Sequence, residues 1–232
     1  MNIIQTWKTK QIPLQFKNCM NSVVEHNSNF NYMFFTDQDI CEFIETKMPE
    51  YQDIFFSFKT KIQKIDFFRY LVIYYYGGVY LDLDIMIEKN LSELYENPDI
   101  CKFPIEYIHI NDTFITDQGF VHLIGNYAFY APAKHPFIKK IIDNIVNNRI
   151  TKNDMEKAAL TNGDSFHDVE IYCTTGPIMV TQSYIDMENK KSIELLTSRP
   201  FRSERFGMFG EHLCRSEEHT SELQSPMYLV CR

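Results

Sequence analysis

The sequence predicts a single α/β domain with a mostly parallel central sheet flanked by helices. The chain has 232 residues, of which 44% are hydrophobic, and a domain of this size buries roughly 70–75% of its unfolded surface. Short apolar runs rich in β-branched and aromatic residues alternate with segments of helical spacing, a pattern typical of parallel strands joined by helices. Because no repeat or low-complexity linker separates a second unit, we expect one domain over residues 1–214.

The first elements alternate as this fold class requires. Asn2 to Trp7 is an apolar, β-branched run that predicts the first strand, and a turn around Pro13 precedes a helical stretch. Tyr32 to Phe35 predicts the second strand. Thr36 or Asp37 can cap the helix that follows it, because short polar side chains accept hydrogen bonds from the first free amides of a helix.

The next helix predicts the first candidate site residues. Apolar residues recur at steps of three and four, which marks one face of a helix: Ile62, Ile65, Phe68, Leu71, Val72 and Tyr75. Asp66 and Arg69 lie three positions apart, so they are neighbours on that helix. Gly77 stands where a helix end favours a left-handed residue.

A strand with two carboxylates on one face follows, running from Val79 to Ile87. With a period of two, its odd-numbered residues form an apolar face, while Tyr80, Asp82 and Asp84 share the other face. Two buried carboxylates are costly unless they are paired. A divalent cation with oxygen ligands would offset that cost and bring phosphate oxygens with it. The alternative is a solvated strand end that binds nothing.

Charge and composition exclude several classes of protein. A net charge of −8 without a basic stripe argues against nucleic-acid binding. The longest apolar stretch, Leu71 to Tyr76, is far shorter than the roughly 20 residues of a transmembrane segment. No secretion signal follows Met1, so we expect a cytoplasmic protein, in which the six scattered cysteines are reduced thiols.

The last residues differ from the rest of the chain. Residues 215–232 resemble the translation of a sequencing-adapter oligonucleotide, and such segments are excluded from fold reasoning. We expect this tail to pack poorly and the domain before it to be truncated at its C-terminal end.

Several motifs together resemble glycosyltransferase family 32, the DXD sugar transferases related to the glucosylating domain of the large clostridial toxins. The most specific motif is an Asp-x-x-Arg helix that leads into Gly-Gly-x-Tyr-x-Asp-x-Asp, here Asp66 to Asp84. Weaker motifs extend the resemblance over nearly the whole chain to about Leu213: Ile3 to Lys8, Asn126 to Phe129, His135 to Phe137, and Thr175 to Pro177.

This resemblance implies a GT-A-like fold, a nucleotide-sugar donor, Mn²⁺ or Mg²⁺, and usually retention at the anomeric carbon. A glycan or a lipid-linked saccharide would be the acceptor, with peripheral membrane association where the acceptor is a lipid. Asp84 would bind the metal directly. Asp82 would contact the donor and reach the metal through water. His212, in the last segment before the tail, would be a further metal ligand.

The resemblance also implies the donor-binding residues. Asp66 would hold hydroxyls of the donor sugar, and Arg69 would approach the diphosphate or orient Asp66. Trp7 would lie near the nucleotide base, with Tyr80 and Asn126 completing the donor site. Asp66, Arg69 and Asp82 are thus the predicted catalytic set. The alternatives are a surface ion pair for Asp66 and Arg69, a core position for Trp7, and an exposed side chain for His212.

Two other functions compete with sugar transfer. A phosphohydrolase of the haloacid-dehalogenase type also uses strand–Asp-x-Asp, and Gly163 to Asp168 mimics its acidic motif. That motif should close an apolar strand, whereas Lys152 to Leu160 predicts a polar helix. The second competitor is a nucleotide-sugar-binding protein without catalytic activity.

Overall fold

The computed structural model describes residues 1–107, 122–162, 165–197, 209 and 211–212. The helices are α1 Leu14–His26, α2 Asp37–Lys47, α3 Gln52–Ser57, α4 Lys61–Tyr76, α5 Pro136–Val146, α6 Lys152–Asn162, α7 Phe166–Thr174 and α8 Pro177–Ile185. The strands are β1 Asn2–Thr6, β2 Asn31–Phe35, β3 Gly78–Leu81, β4 Ile85–Met86, β5 Cys101–Tyr107, β6 His122–Ile124, β7 Ala128–Ala131, β8 Ile193–Thr197 and β9 Glu211–His212. The tail predicted at residues 215–232 lies outside the described residues.

The first half of the domain has the predicted alternation of strands and helices. β1 pairs in parallel with β2 on one side and with β3 on the other. Thr36 caps α2 and forms a reciprocal capping box with Asp39, so the predicted start of that helix is confirmed. Because the chain runs from β1 to β2 and then crosses to the opposite side of β1, the sheet reverses its order between β1 and β3.

The main sheet is mixed but mostly parallel, so the predicted α/β class with a mostly parallel sheet is confirmed: among its described strands, β1, β2, β3, β5 and β8 run in one direction and β6 and β7 in the other. β7 is antiparallel to β3, β5 is antiparallel to β6 and β7, and β8 is parallel to β5. Ile105 pairs with both β6 and β8, so these two strands lie on opposite edges of β5. The two antiparallel strands, β6 and β7, follow one another without a helix between them, and the alternation of strands and helices in the sequence did not predict them.

α4 and β3 are joined by two glycines that no other residue could replace without strain. Gly77 has φ +65° and Gly78 has φ +123°, a region that side chains disfavour. A Cβ at Gly78 would lie 2.4 Å from the backbone oxygen of Asn2, and one at Gly77 would lie 2.6 Å from the nitrogen of Ala133. The left-handed helix end predicted at Gly77 is therefore confirmed, and α4 passes directly into the sheet.

The predicted strand from Val79 to Ile87 is interrupted by a turn. β3 ends at Leu81, residues 83 and 84 form a turn, and the chain resumes as the short strand β4. The five alternating apolar residues are all buried, as the pattern predicted, but so are Tyr80, Asp82 and Asp84. The residues before, within and after this turn are all buried, so the alternation of apolar residues continues through it and does not show where the strand ends. The two carboxylates consequently lie in a turn rather than on a strand face.

Candidate functional site

The candidate site lies where the sheet reverses its order, beyond the carboxyl ends of β1 and β3. Ligands of open α/β sheets bind in the crevice at such a point, because the loops that leave the two strands diverge there. Trp7 follows β1 directly, and Asp82 follows β3. The fold therefore brings the first-strand motif and the Asp-x-Asp motif, which are far apart in the sequence, to the same edge of the sheet.

Arg69 forms the centre of the polar side of this site. Its Nη2 lies 2.9 Å from Oδ1 of Asp66 and 3.5 Å from Oδ1 of Asp82, and its Nη1 donates to the backbone oxygen of Asn126 at 2.6 Å. Its guanidinium also lies 4.8 Å from the ring centroid of Tyr80, close enough for a cation–π interaction. A single side chain thus links α4, the Asp-x-Asp turn and the start of β7.

Asp66 is held by donors from three elements. Besides Arg69, Asn126 Nδ2 donates to its Oδ1 at 3.2 Å and Thr175 Oγ1 donates to its Oδ2 at 3.1 Å. Burial nevertheless raises the pKa of Asp66 to about 7, because desolvation and the charge of Asp82 outweigh the stabilising effect of Arg69 and of the two neutral donors. Asp66 and Arg69 are only 1% and 2% exposed, so the interpretation of this pair as a surface ion pair is wrong.

Asp82 is fixed through both its backbone and its side chain. Its amide donates to the oxygen of Tyr127 at 2.7 Å, and its Oδ1 accepts from the Tyr80 hydroxyl at 3.0 Å. Burial raises the pKa of Tyr80, which keeps that hydroxyl protonated and able to donate. On Arg69, burial would lower the pKa, but the negative charge of Asp82 reverses the effect and raises it. The side chain of Asp82 is therefore directed by two donors from β3 and α4.

Two buried atoms of this polar side have no hydrogen-bond partner among the described residues. They are Oδ1 of Asn126 and Nε of Arg69. Asn126 cannot turn its amide over to correct this, because its Nδ2 already donates to both Asp66 and the hydroxyl of Tyr70. One acceptor and one donor therefore stand beside the carboxylate of Asp66.

The other side of the turn is apolar. Leu83 is buried in a cluster with Trp7 and Phe16, whose rings are 5.1 Å apart. Trp7 is thus a core residue, as the alternative interpretation held, and at the same time a neighbour of the Asp-x-Asp turn. On the same side the thiol of Cys19 lies in α1, and burial, followed by the negative charge of Asp84, raises its pKa to about 11.

His212 lies near the turn through its backbone. β9 pairs antiparallel with β4, and His212 is opposite Ile85, the residue that follows Asp84. The side chain of His212 is outside what the structure describes, so its predicted role as a metal ligand stays a prediction.

The residues around the turn fit a hard divalent cation in their chemistry. Asp82 and Asp84 supply carboxylate oxygens two residues apart, which are the ligands that Mn²⁺ and Mg²⁺ accept. Within the described part of the chain, no group of three or more His, Cys, Asp or Glu side chains is arranged to hold a metal ion.

The structure adds site residues that the sequence did not single out. Tyr70 donates to the backbone oxygen of Thr175 at 2.8 Å and accepts from Asn126, while Gln5 donates to the backbone oxygen of Asp82 at 3.2 Å. In the sequence, the Thr-Gly-Pro motif indicated Thr175, and Gln5 stood out as the polar residue of an apolar strand. No sequence pattern distinguished Tyr70, because tyrosines are frequent in α4.

A comparison with protein families agrees with this geometry. Residues 13–101 match the family described as "Glycosyltransferase sugar-binding region containing DXD motif". This range contains α1, the whole of α4 and the Asp-x-Asp turn. The resemblance to the DXD sugar transferases is thereby confirmed over residues 13–101.

Curated relatives belong to the same class. The chain is 32% identical over 146 residues to inositol phosphoceramide mannosyltransferase 1 of Schizosaccharomyces pombe, a match that covers 62% of this chain and 41% of that protein. It is 35% identical over 96 residues to mannosyl phosphorylinositol ceramide synthase SUR1 of Saccharomyces cerevisiae, covering 41% of this chain and 25% of the relative. The chain therefore spans less than half the length of these relatives.

A solved structure confirms the fold. The PaToxG glycosyltransferase superposes with a TM-score of 0.54 at 18% identity, over 80% of this chain and 68% of that one. The predicted GT-A-like architecture, a central sheet flanked by helices, is confirmed at this level. None of the helices in the described residues is long and apolar enough to cross a membrane.

Proposed function

We propose that this protein transfers a sugar from a nucleotide-sugar donor to a lipid-linked or glycan acceptor. The observation that carries this proposal is the buried Asp66–Arg69–Asp82 network at the reversal point of the sheet. A protein that only needed stability would gain little from it, because a buried ion pair often contributes no more than apolar residues of equal volume. Binding of a polyhydroxylated, anionic ligand would explain why these charged groups are buried together.

The donor sugar would be recognised on the polar side of the turn. Carboxylates accept hydrogen bonds from hydroxyls, and amides both donate and accept them. Oδ1 of Asn126 and Nε of Arg69, which have no partner among the described residues, supply an acceptor and a donor next to Asp66. Arg69 would then orient Asp66 and, together with Tyr80, hold the carboxylate of Asp82 in place.

A divalent cation, Mn²⁺ or Mg²⁺, belongs to the same proposal. Asp84 would hold it directly and Asp82 through water, with His212 as a further ligand. When bound, the cation supplies neutralisation of the charge that grows on the departing nucleoside diphosphate. Trp7 and Leu83 would exclude water from that side, which strengthens the interactions between charges there.

The names of the relatives suggest the finer specificity. Two of them are described as enzymes that add mannose to inositol phosphoceramide. We therefore propose mannose as the first donor sugar to test and a phosphoinositol lipid as the first acceptor, with retention at the anomeric carbon and peripheral contact with the membrane that holds the acceptor.

The test is cleavage of nucleotide sugars by the purified chain with Mn²⁺. GDP-mannose, GDP-glucose, UDP-glucose and UDP-galactose are incubated with and without a phosphoinositol lipid, and released nucleotide is measured beside the anomeric configuration of the product. Metal-dependent release, suppressed by chelation and by Asp84→Asn, supports the proposal. Donor binding without cleavage or transfer would instead identify a nucleotide-sugar-binding protein.

The phosphohydrolase alternative has lost its support. Lys152–Asn162 is a helix, as the sequence predicted, and Asp168 lies in the helix α7 rather than at the end of a strand. Gly163 and Asp164 lie outside the described residues. Cleavage of a phosphate ester such as p-nitrophenyl phosphate, in the absence of nucleotide-sugar cleavage, would reverse this assignment.

A further inference from the structure

We propose that Gln5 is a positioning residue that sets the location of the Asp-x-Asp turn. This inference rests on the proposed function for its consequence, but its geometry stands on described contacts alone. Gln5 is completely buried in β1, on the same face of the strand as the apolar Ile3. A buried amide in such surroundings is costly unless its donor and its acceptor are both satisfied.

Both groups of the Gln5 amide are occupied by specific partners. Nε2 donates to the backbone oxygen of Asp82 at 3.2 Å, and Oε1 accepts from the hydroxyl of Tyr32 at 3.0 Å. The backbone oxygen of Asp82 can only accept, so it requires Nε2 of Gln5 to face the turn, and the Tyr32 hydroxyl then satisfies the remaining Oε1. β2 thus supports Gln5, and Gln5 in turn holds Asp82.

The contact occurs where the two parallel strands separate. The backbone register of β1 and β3 ends at Ile4 and Tyr80, while β1 itself continues in register with β2 to Thr6. Beyond that point the side chain of Gln5 takes the place of the backbone hydrogen bond between the strands. This replacement leaves room between the strand ends and still ties Asp82 to the sheet.

The remaining backbone contacts of Asp82 make Gln5 decisive for its position. The amide of Asp82 donates to Tyr127 at 2.7 Å on the β7 side, and the amide of Ile85 donates to the Asp82 oxygen at 3.2 Å to close the turn. Gln5 is the contact from the β1 side. Without it the β1 side no longer holds the backbone of Asp82 through this contact, and the turn can shift away from Arg69 and Tyr80.

The test compares Gln5→Leu with the parent and with Gln182→Leu. Gln182 is a matched control, since it is also a buried glutamine whose amide donates to an aspartate, Asp186, in another part of the chain. Amide hydrogen exchange of the segment from Tyr80 to Ile87 reports on the turn without any ligand. Mn²⁺ affinity, measured by paramagnetic resonance, reports on the proposed cation site.

In Gln5→Leu we expect exchange in this segment to accelerate at least about 10-fold, since the Asp82 oxygen, which accepts from the Ile85 amide, loses the donor that holds it in place. Mn²⁺ affinity should fall about 10–100-fold, the range observed for residues that orient metal ligands. Gln182→Leu should change neither quantity. Tyr32→Phe provides a milder variant, which leaves Gln5 in place but removes the donor to its Oε1, and it should shift both quantities in the same direction.

The outcomes separate this inference from the proposed function. Unchanged exchange in the Tyr80–Ile87 segment of folded Gln5→Leu and Tyr32→Phe would overturn the positioning role. Equal acceleration in Gln182→Leu would also overturn it, because the effect would then be general loss of stability. If the parent binds no Mn²⁺ while exchange still accelerates in Gln5→Leu alone, the positioning role stands and the metal-dependent function fails.

Discussion

The two sides of the Asp-x-Asp turn are held by different forces. On the polar side, Arg69 joins Asp66 to Asp82, and directional hydrogen bonds determine where each carboxylate faces. On the apolar side, Leu83 packs with Trp7 and Phe16, and contact area determines where the backbone lies. The comparison indicates that hydrogen bonds on the polar side orient the carboxylates, whereas packing on the apolar side positions the backbone of the turn. Substitutions on the two sides should therefore have different effects.

The largest effect is expected on the polar side, for Arg69→Met. This change removes the charge that pairs with Asp66 and leaves a buried carboxylate uncompensated, so unfolding free energy should fall by about 3–5 kcal/mol. Urea denaturation measures it. Arg149→Met is the control, because Arg149 pairs with Asp186 but is 47% exposed, and loss of such a pair costs only about 0–1 kcal/mol. Equal losses in the two variants would mean that burial gives the Asp66–Arg69 pair no greater weight than an exposed pair.

Leu83→Ala tests the packing on the apolar side of the turn. Leu83 is fully buried, so truncation should cost about 2–5 kcal/mol through lost contacts and a cavity. Because Leu83 lies between Asp82 and Asp84 in the sequence and packs with Trp7, Mn²⁺ affinity should fall as well. Leu94→Ala removes the same atoms from a fully buried site in another cluster, and it should cost similar stability without any change in Mn²⁺ affinity. A loss of affinity in both variants would mean that stability alone controls binding.

Asp84→Asn should affect binding rather than stability. The substitution keeps the shape of the side chain but removes an anionic oxygen, and we expect Mn²⁺ affinity to drop at least about 100-fold, beyond the effect of residues that only orient a ligand. The thermal midpoint should stay within a few degrees of that of the parent. Asparagine at 84 with unchanged Mn²⁺ affinity would refute the assignment of Asp84 as a metal ligand.

Asp66→Asn tests the polar side through the pH dependence of the free energy of unfolding. Burial raises the pKa of Asp66 to about 7. The folded chain therefore binds a proton that the unfolded chain has already released, and between about pH 4 and 7 the free energy of unfolding should fall as pH rises, by at most about 1.4 kcal/mol per unit. The asparagine variant, which has no proton to bind, should lack this contribution. Denaturation at several pH values measures the difference, and parallel profiles would show that Asp66 is ionised throughout.

Local features of the fold were predictable from the sequence, whereas its long-range pairings were not. The strand at Tyr32–Phe35, the cap at Thr36 and the left-handed Gly77 follow from a few neighbouring residues, and all three are confirmed. The turn after Leu81 was not predictable, because an alternating pattern looks the same in a strand and in a buried turn. The antiparallel β7 depends on contacts that no local pattern encodes.

The site shows the same limit. The sequence selected Asp66, Arg69, Asp82 and Asn126, and the structure brings all four into one hydrogen-bonded group. Their roles toward a donor stay predictions. The Thr-Gly-Pro motif indicated Thr175, but the sequence could not reveal that it contacts Asp66, because nothing near Asp66 along the chain indicates a partner 109 residues away.

That separation also fixes when the site is completed as the chain is made. A ribosome adds about 5–20 residues per second, so α4 emerges roughly 5–20 s before Thr175 exists to bind Asp66. In that interval Arg69, one helical turn away on α4, is the charge available to neutralise it. Nascent chains shorter than 175 residues should consequently expose α4 and bind chaperones. The contact between Thr175 and Asp66 thus forms only after most of the described residues have been synthesised.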